Sequence, residues 1–253
     1  MYSLKYDLLN QPLELKKTHD FCVSGKPVLT VVLIHGIASN SATFSNALKY
    51  LEGTRSLKDI RFVTFDLLGA GKSYKNDRLE YNFKEQLDAL HRSIEKLNLN
   101  TPLILVGHSM GTLITTRYAD THKKKVKKLI LVSPPVYTED DLDNPAFEVA
   151  LKAFNDAVKV KVHGITKEKS YQNFMKNIVC NRKNYKVLSE LKTPAMLIYG
   201  ELDQIIAPRN IPKVVRENKK YLSAIKTVGR HGMSREKYNK IREILEEEIN
   251  ETI

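Results

Sequence analysis

The sequence predicts an α/β fold built on a doubly wound, mostly parallel sheet. Three observations predict it. Short, continuous apolar runs recur along the chain, separated by segments with helical spacing. That alternation breaks once, between residues 136 and 190, and then resumes. One apolar run, Pro102-Leu103-Ile104-Leu105-Val106, passes directly into Gly107-His108-Ser109-Met110-Gly111, so a strand must turn sharply into a helix there.

Taken in order, residues 1–26 alternate loosely (Leu4, Tyr6, Leu8; Leu13, Leu15) and predict two antiparallel edge strands. Pro27 to Ile34 is the strongest strand signal in the chain and ends in His35-Gly36-Ile37. A Ser/Asn-rich loop and a short helix over 43–51 follow. Arg61 to Phe65 is a strand running into Asp66-Leu67-Leu68-Gly69-Ala70-Gly71-Lys72-Ser73. Leu87, Leu90, Ile94 and Leu97 recur at helical spacing. The strand to Ser109 is followed by a helix from Met110 to about Thr121, and Val126 to Val132 is another strand. From 136 to 190 the chain reads as helical. Asn144 caps one helix with Pro145 at its first position and Phe147, Ala150, Phe154 and Ala157 on one face. Tyr171, Phe174, Met175, Ile178 and Val179 line another. Strands return at Pro194 to Gly200 and near Ala224 to Val228, and a closing helix runs from about Ser234 to Ile249.

Composition narrows the function classes. Of 253 residues, 42% are hydrophobic and 28% charged, as in ordinary globular proteins. No stretch reaches the length of a membrane span, and the start of the chain lacks the apolar core of a signal peptide. Cys22 and Cys180 are the only cysteines, so no disulfide framework is expected and a cytoplasmic location is the default. The net charge of +12 raises nucleic-acid binding. However, the main basic cluster, Lys123-Lys124-Lys125 with Lys127-Lys128, has no interleaved aromatics and no nucleic-acid motif, and a solvated surface is the simpler reading.

The strand-to-helix turn carries the chemistry. Glycines at 107 and 111 let neighbouring backbone pass close on either side of Ser109, and the helix start offers free N–H groups beside it. A serine hydroxyl becomes a useful nucleophile only when a base takes its proton and a third group orients that base. Gly200-Glu201-Leu202-Asp203 and Gly229-Arg230-His231-Gly232-Met233 each follow a later strand and supply candidates.

With these residues in view, the sequence resembles the α/β-hydrolase fold serine hydrolases that carry a helical lid. The resemblance covers nearly the whole chain. It rests on His35-Gly36, the Asp66 to Ser73 turn, the Ser109 elbow, Gly200-x-x-Asp203 and His231. It implies a core of residues 1–135 and 191–253 and a lid inserted at 136–190. It implies Ser109 as nucleophile, His231 as general base and acid, and Asp203, favoured over Glu201, as its orienting acid. The oxyanion hole would be the backbone N–H groups of Ile37 and Met110. Thr112, where many relatives have glycine, departs from the pattern. Within the lid, Phe147, Phe154, Phe174 and Met175 are candidate contacts for an acyl group, set against ordinary helix packing.

The activity implied is hydrolysis of small or acyl-chain carboxylic esters through an acyl-serine, with no metal and no organic cofactor. A C–C bond hydrolase, a lyase or an aminopeptidase would use the same triad, the last with Glu139, Asp140 or Asp141 on the substrate amine. A receptor that kept the fold and lost turnover is the alternative from another class. His35 is read as shaping the oxyanion loop. His108, His19, His91, His122 and His163 carry no role and no metal-ligand spacing. Gly69-x-Gly71-Lys72-Ser73 lacks the full phosphate-loop pattern and is read as a turn beside the site.

Overall fold

The structure, a computed structural model, describes residues 13–162 and 168–251. Seven strands form one sheet in the order β1-β3-β2-β4-β5-β6-β7. They are β1 (Lys16–Cys22), β2 (Leu29–Ile34), β3 (Ile60–Asp66), β4 (Leu103–His108), β5 (Val126–Val132), β6 (Ala195–Gly200) and β7 (Leu222–Thr227). All neighbours run parallel except β1, which pairs antiparallel with β3. Of the two edge strands expected near the N-terminus, this is the one among the described residues. Leu4, Tyr6 and Leu8 lie outside them. Leu13 and Leu15 form a lead-in to β1 rather than a strand, and the Leu15 N–H is taken by Ser93 Oγ at 2.8 Å.

Parallel strands buried on both faces read as unbroken apolar runs. In β2, Val31 and Leu33 enter one core while Val32 and Ile34 enter the other. In β4, Ile104 and Val106 share the first core and Leu103 and Leu105 the second. Helices α1 (Ser45–Glu52) and α9 (Arg235–Asn250) supply Leu48, Leu51, Ile241 and Leu245 to the first core. Helices α2 (Phe83–Glu95) and α3 (Met110–Thr121) supply Leu90, Ile94, Ile114 and Tyr118 to the second. Asn82 and Glu85 close a capping box at the start of α2, and α2 ends at Glu95, so buried Leu97 sits just past the helix it was expected to join.

The strand order reverses between β2 and β4. Their connections leave toward α1 on one face and α3 on the other, which opens a crevice at their carboxyl ends. Both the His35-Gly36-Ile37 loop and Ser109 sit there. Between β5 and β6 the chain forms α4 (Glu139–Asp143), α5 (Pro145–Val162), α6 (Glu168–Phe174), a π-helical turn over Met175–Val179, and α7 (Asn184–Ser189). Asn144 caps α5, with its Oδ1 accepting from the Ala146 N–H at 2.9 Å. Ala157 lies on α5, but its side chain is outside the described residues. Helix α8 (Ile211–Glu217) lies between β6 and β7. Among the described residues no helix is long and apolar enough to cross a membrane.

At Gly111, α3 packs closely against the end of β2. A Cβ there would fall 2.2 Å from the Ile34 carbonyl oxygen and 2.6 Å from that of His35. In an open helix, Gly→Ala gains about 1 kcal/mol. Here the overlap reverses the sign, and Gly111→Ala is expected to cost about 1–3 kcal/mol. Its thermal midpoint should drop by about 2–4 °C for each of those kcal/mol. A melting curve at or above that of the wild type would show that the two backbones can separate freely.

Candidate active site

Ser109 lies at the junction of β4 and α3 with φ 52° and ψ −124°, a conformation that is costly for a residue with a side chain. Its neighbours hold it there. The Ser109 N–H donates to the Val132 carbonyl at 2.9 Å. The Ser109 carbonyl accepts both the N–H of Thr112, at 2.9 Å, and its hydroxyl, at 2.6 Å. Thr112 therefore braces the turn. Gly36 passes so close that a Cβ on it would sit 2.9 Å from Ser109 Cβ.

Ser109 Oγ is 2.9 Å from His231 Nε2, and His231 Nδ1 is 2.9 Å from Asp203 Oδ2. A carboxylate only accepts, so Nδ1 carries the hydrogen and Nε2 is free to accept from the serine. The other Asp203 oxygen accepts from the N–H groups of Ile205, at 3.0 Å, and Ile206, at 3.3 Å. Burial alone would raise this carboxyl. The hydrogen bond and charge of His231 and the two backbone N–H groups outweigh it and hold Asp203 below the usual carboxylate range. Glu201, the other candidate acid, is more than half exposed and pairs with Lys226 at 3.1 Å.

The serine opens onto a cavity of about 260 Å³. Ile37 and Met110 line it beside Ser109, and Met110 is the first residue of α3, where an N–H has no partner within the helix. Phe147, Phe154 and Met175 also line it. Phe174 does not. It points into the core, 1% exposed, with its ring 5.5 Å from that of Tyr81. Phe147 and Phe154 on α5 and Met175 on the π-helical turn thus line the cavity, while Phe174, the last residue of α6, packs into the core.

A family profile described as the alpha/beta hydrolase fold matches residues 30–163. The chain belongs to the α/β-hydrolase fold family. Lipase 1 of Psychrobacter immobilis is 26% identical over 217 residues, which is 75% of this chain and 66% of that protein. Probable lysophospholipase BODYGUARD 5 of Arabidopsis thaliana is 34% identical over 134 residues, covering 53% of this chain. The chain spans only 30% of that relative's length. Among solved structures, the monoacylglycerol lipase of Paleococcus ferrophilus superposes with a TM-score of 0.66 at 22% identity, covering 95% of this chain and 100% of that one.

In this α/β hydrolase the remaining sequence candidates have structural partners. His35 is fully buried, and burial pushes its pKa down. Its Nδ1 donates to the Gly36 carbonyl at 2.8 Å, and its Nε2 accepts the Leu67 N–H at 3.0 Å. It thus ties the Ile37 loop to the Asp66 turn. In that turn, Asp66 accepts the N–H groups of Ser41 and Lys72, each at 2.8 Å, so these two donors hold the turn together. Asp141 lines the cavity, yet it closes the capping box of α4 with Thr138 and pairs with Arg209 and Asn210. Glu139 and Asp140 are exposed. His91 and His122 stack at 4.5 Å beside Tyr118, and His163 lies outside the described residues. Among the described residues no group of His, Cys, Asp or Glu is arranged to hold a metal.

Sequence reasoning missed one residue near the site. Lys237, in the first turn of α9, is fully buried and its Nζ reaches the loop that carries His231. Its only signal was a lysine where a helix start favours acids.

Proposed function

We infer that this chain hydrolyses carboxylic esters of acyl-chain substrates through an acyl-serine at Ser109. The observation that carries this is the continuous Ser109–His231–Asp203 hydrogen-bonded chain at an apolar cavity. The lipase and lysophospholipase names of the relatives support it.

The chemistry follows from the geometry. Ser109 Oγ attacks the ester carbonyl carbon as its proton passes to His231 Nε2. Asp203 stabilises the imidazolium through Nδ1. The Met110 and Ile37 N–H groups receive the negative charge on the former carbonyl oxygen. The C–O bond to the leaving alkoxide breaks, and His231 returns the proton to it. Water then attacks the acyl-serine with the same base, releasing the acid and restoring the hydroxyl. Helices α4 to α7 act as the lid that covers this cavity. Asp141, the candidate amine-binding acid that lines the cavity, is already bonded to Thr138, Arg209 and Asn210, which weighs against the aminopeptidase alternative.

Labelling with a fluorophosphonate tests the nucleophile: a covalent adduct on Ser109 is expected, and an adduct on a different serine overturns the assignment. A panel of p-nitrophenyl esters tests the acyl pocket. Each methylene buried is worth about 0.8 kcal/mol, so kcat/KM should rise about fourfold per methylene until the cavity is full. Phe147→Ala, Phe154→Ala and Met175→Ala should shift the preferred chain length. Phe174→Ala should lower stability by about 3–5 kcal/mol and leave the chain-length profile alone. A flat wild-type profile would mean that these side chains only pack.

A further inference from the structure

The buried ammonium of Lys237 has a larger part than packing. Its three hydrogens meet Arg230 O at 2.6 Å, Ser133 Oγ at 2.8 Å and Gly232 O at 2.9 Å, with His231 O at 3.3 Å. Successive carbonyls of the histidine loop therefore wrap one cation. Ser133, itself fully buried and with φ 51°, accepts from Lys237 and passes its own hydrogen to the His231 carbonyl at 3.0 Å. His108 Nε2 donates to the same carbonyl at 3.1 Å. Burial pushes the His108 pKa down to about 3, so it is neutral, and this bond sets its tautomer. The backbone of His231 is thus held by groups from β4, the end of β5 and α9, elements far apart in sequence.

Placing the lysine there has two costs. A cation in the first turn of a helix opposes the helix dipole, and a fully buried charge loses its hydration. A local rule broken twice at one residue, beside a reacting group, is the pattern expected of a functional site. We propose that Lys237, with Ser133 and His108, is a positioning clamp that keeps the His231 imidazole between Ser109 and Asp203. The proposal rests on the triad reading above. The loop runs from the end of β7 to the start of α9. Without the clamp its carbonyls would lose their shared partner and the imidazole would drift. A displacement of about 1 Å at a reacting group can cost on the order of 10²-fold in rate.

The clamp also has a pH signature. Burial pulls the Lys237 pKa down to about 8, against the favourable charges of Asp203 and Glu236. The titratable groups facing it are Glu236 on its own helix, Asp203 on the loop after β6 and the neutral imidazole of His108, while His231 meets it through its backbone carbonyl. Below about pH 8 the ammonium holds all three donors. As the pH rises through that value one hydrogen is lost, so activity should fall on the alkaline side.

The test compares wild type, Lys237→Met and Ser133→Ala by fluorophosphonate labelling rate at Ser109, by kcat and KM on a p-nitrophenyl ester, and by pH profile. In Lys237→Met, labelling and kcat should fall about 10²-fold with KM within about twofold. The alkaline limb near pH 8 should vanish. Ser133→Ala keeps the lysine and should lose about tenfold in the same two rates. Wild-type labelling and kcat in a folded Lys237→Met overturn the clamp and leave a packing lysine. Should Lys237→Met fail to fold, unchanged rates in Ser133→Ala overturn it equally. Absence of labelling in the wild type overturns the triad reading itself, and the clamp with it.

Discussion

Ser109→Ala is expected to abolish ester hydrolysis, by on the order of 10³-fold or more, in a protein that still folds. In the proposed mechanism the hydroxyl is the bond-forming group. Among the described residues, Ser109 Oγ is the side-chain partner of His231 Nε2, at 2.9 Å. Folding should survive because the hydrogen bonds that hold the turn come from the backbone N–H and carbonyl of Ser109 and from Thr112, all of which remain. Removing the hydroxyl leaves the strained φ of 52° unchanged, since alanine keeps the same Cβ. The measurements are kcat/KM on the best ester of the panel and a thermal melt. Near-wild-type turnover would remove Ser109 from the mechanism. His231→Ala should match the loss, and the double variant should lose little more, because residues that act as a unit are far from additive.

Asp203→Asn is expected to cost about 10⁴-fold in kcat while Glu201→Gln stays near wild type. The carboxylate accepts from His231 Nδ1 at 2.9 Å and so leaves Nε2 free to take the serine proton. An asparagine amide can donate to Nδ1 instead. That favours the tautomer with hydrogen on Nε2, which cannot accept from Ser109. Asp203 is 4% exposed, so water cannot substitute for it, whereas Glu201 lies in solvent with Lys226. The hydrogen bonds that hold Asp203 below the usual carboxylate range also keep it ionised as the pH falls. A larger loss in Glu201→Gln than in Asp203→Asn would exchange their roles.

The strands were legible because burial on both sheet faces demands unbroken apolar runs, and β5 begins and ends at the residues that the pattern marks, Val126 and Val132. The helix starts were legible from their caps, Ser234 before α9 and Asn144 before α5. Edges were less so. The Leu13/Leu15 alternation marked a lead-in, because a strand with one neighbour is set by its pairing with β3 and not by its own pattern.

By itself the sequence determined the alternation of strand and helix, the sharp turn at Ser109, and the order in which an acid and a histidine follow later strands. These are local patterns, readable from spacing and residue type. The tertiary structure alone decided that Ser109 and His231, 122 residues apart, meet at 2.9 Å. It also decided that Asp203 rather than Glu201 faces the histidine, that Phe147 and not Phe174 reaches the cavity, and that Lys237 is bonded to Ser133, 104 residues away. The reason is physical. A side chain's partners depend on which distant segments the sheet order brings beside it. Lys237, folded against the loop of His231, takes that loop's backbone carbonyls as hydrogen-bond partners, and no local pattern records that choice.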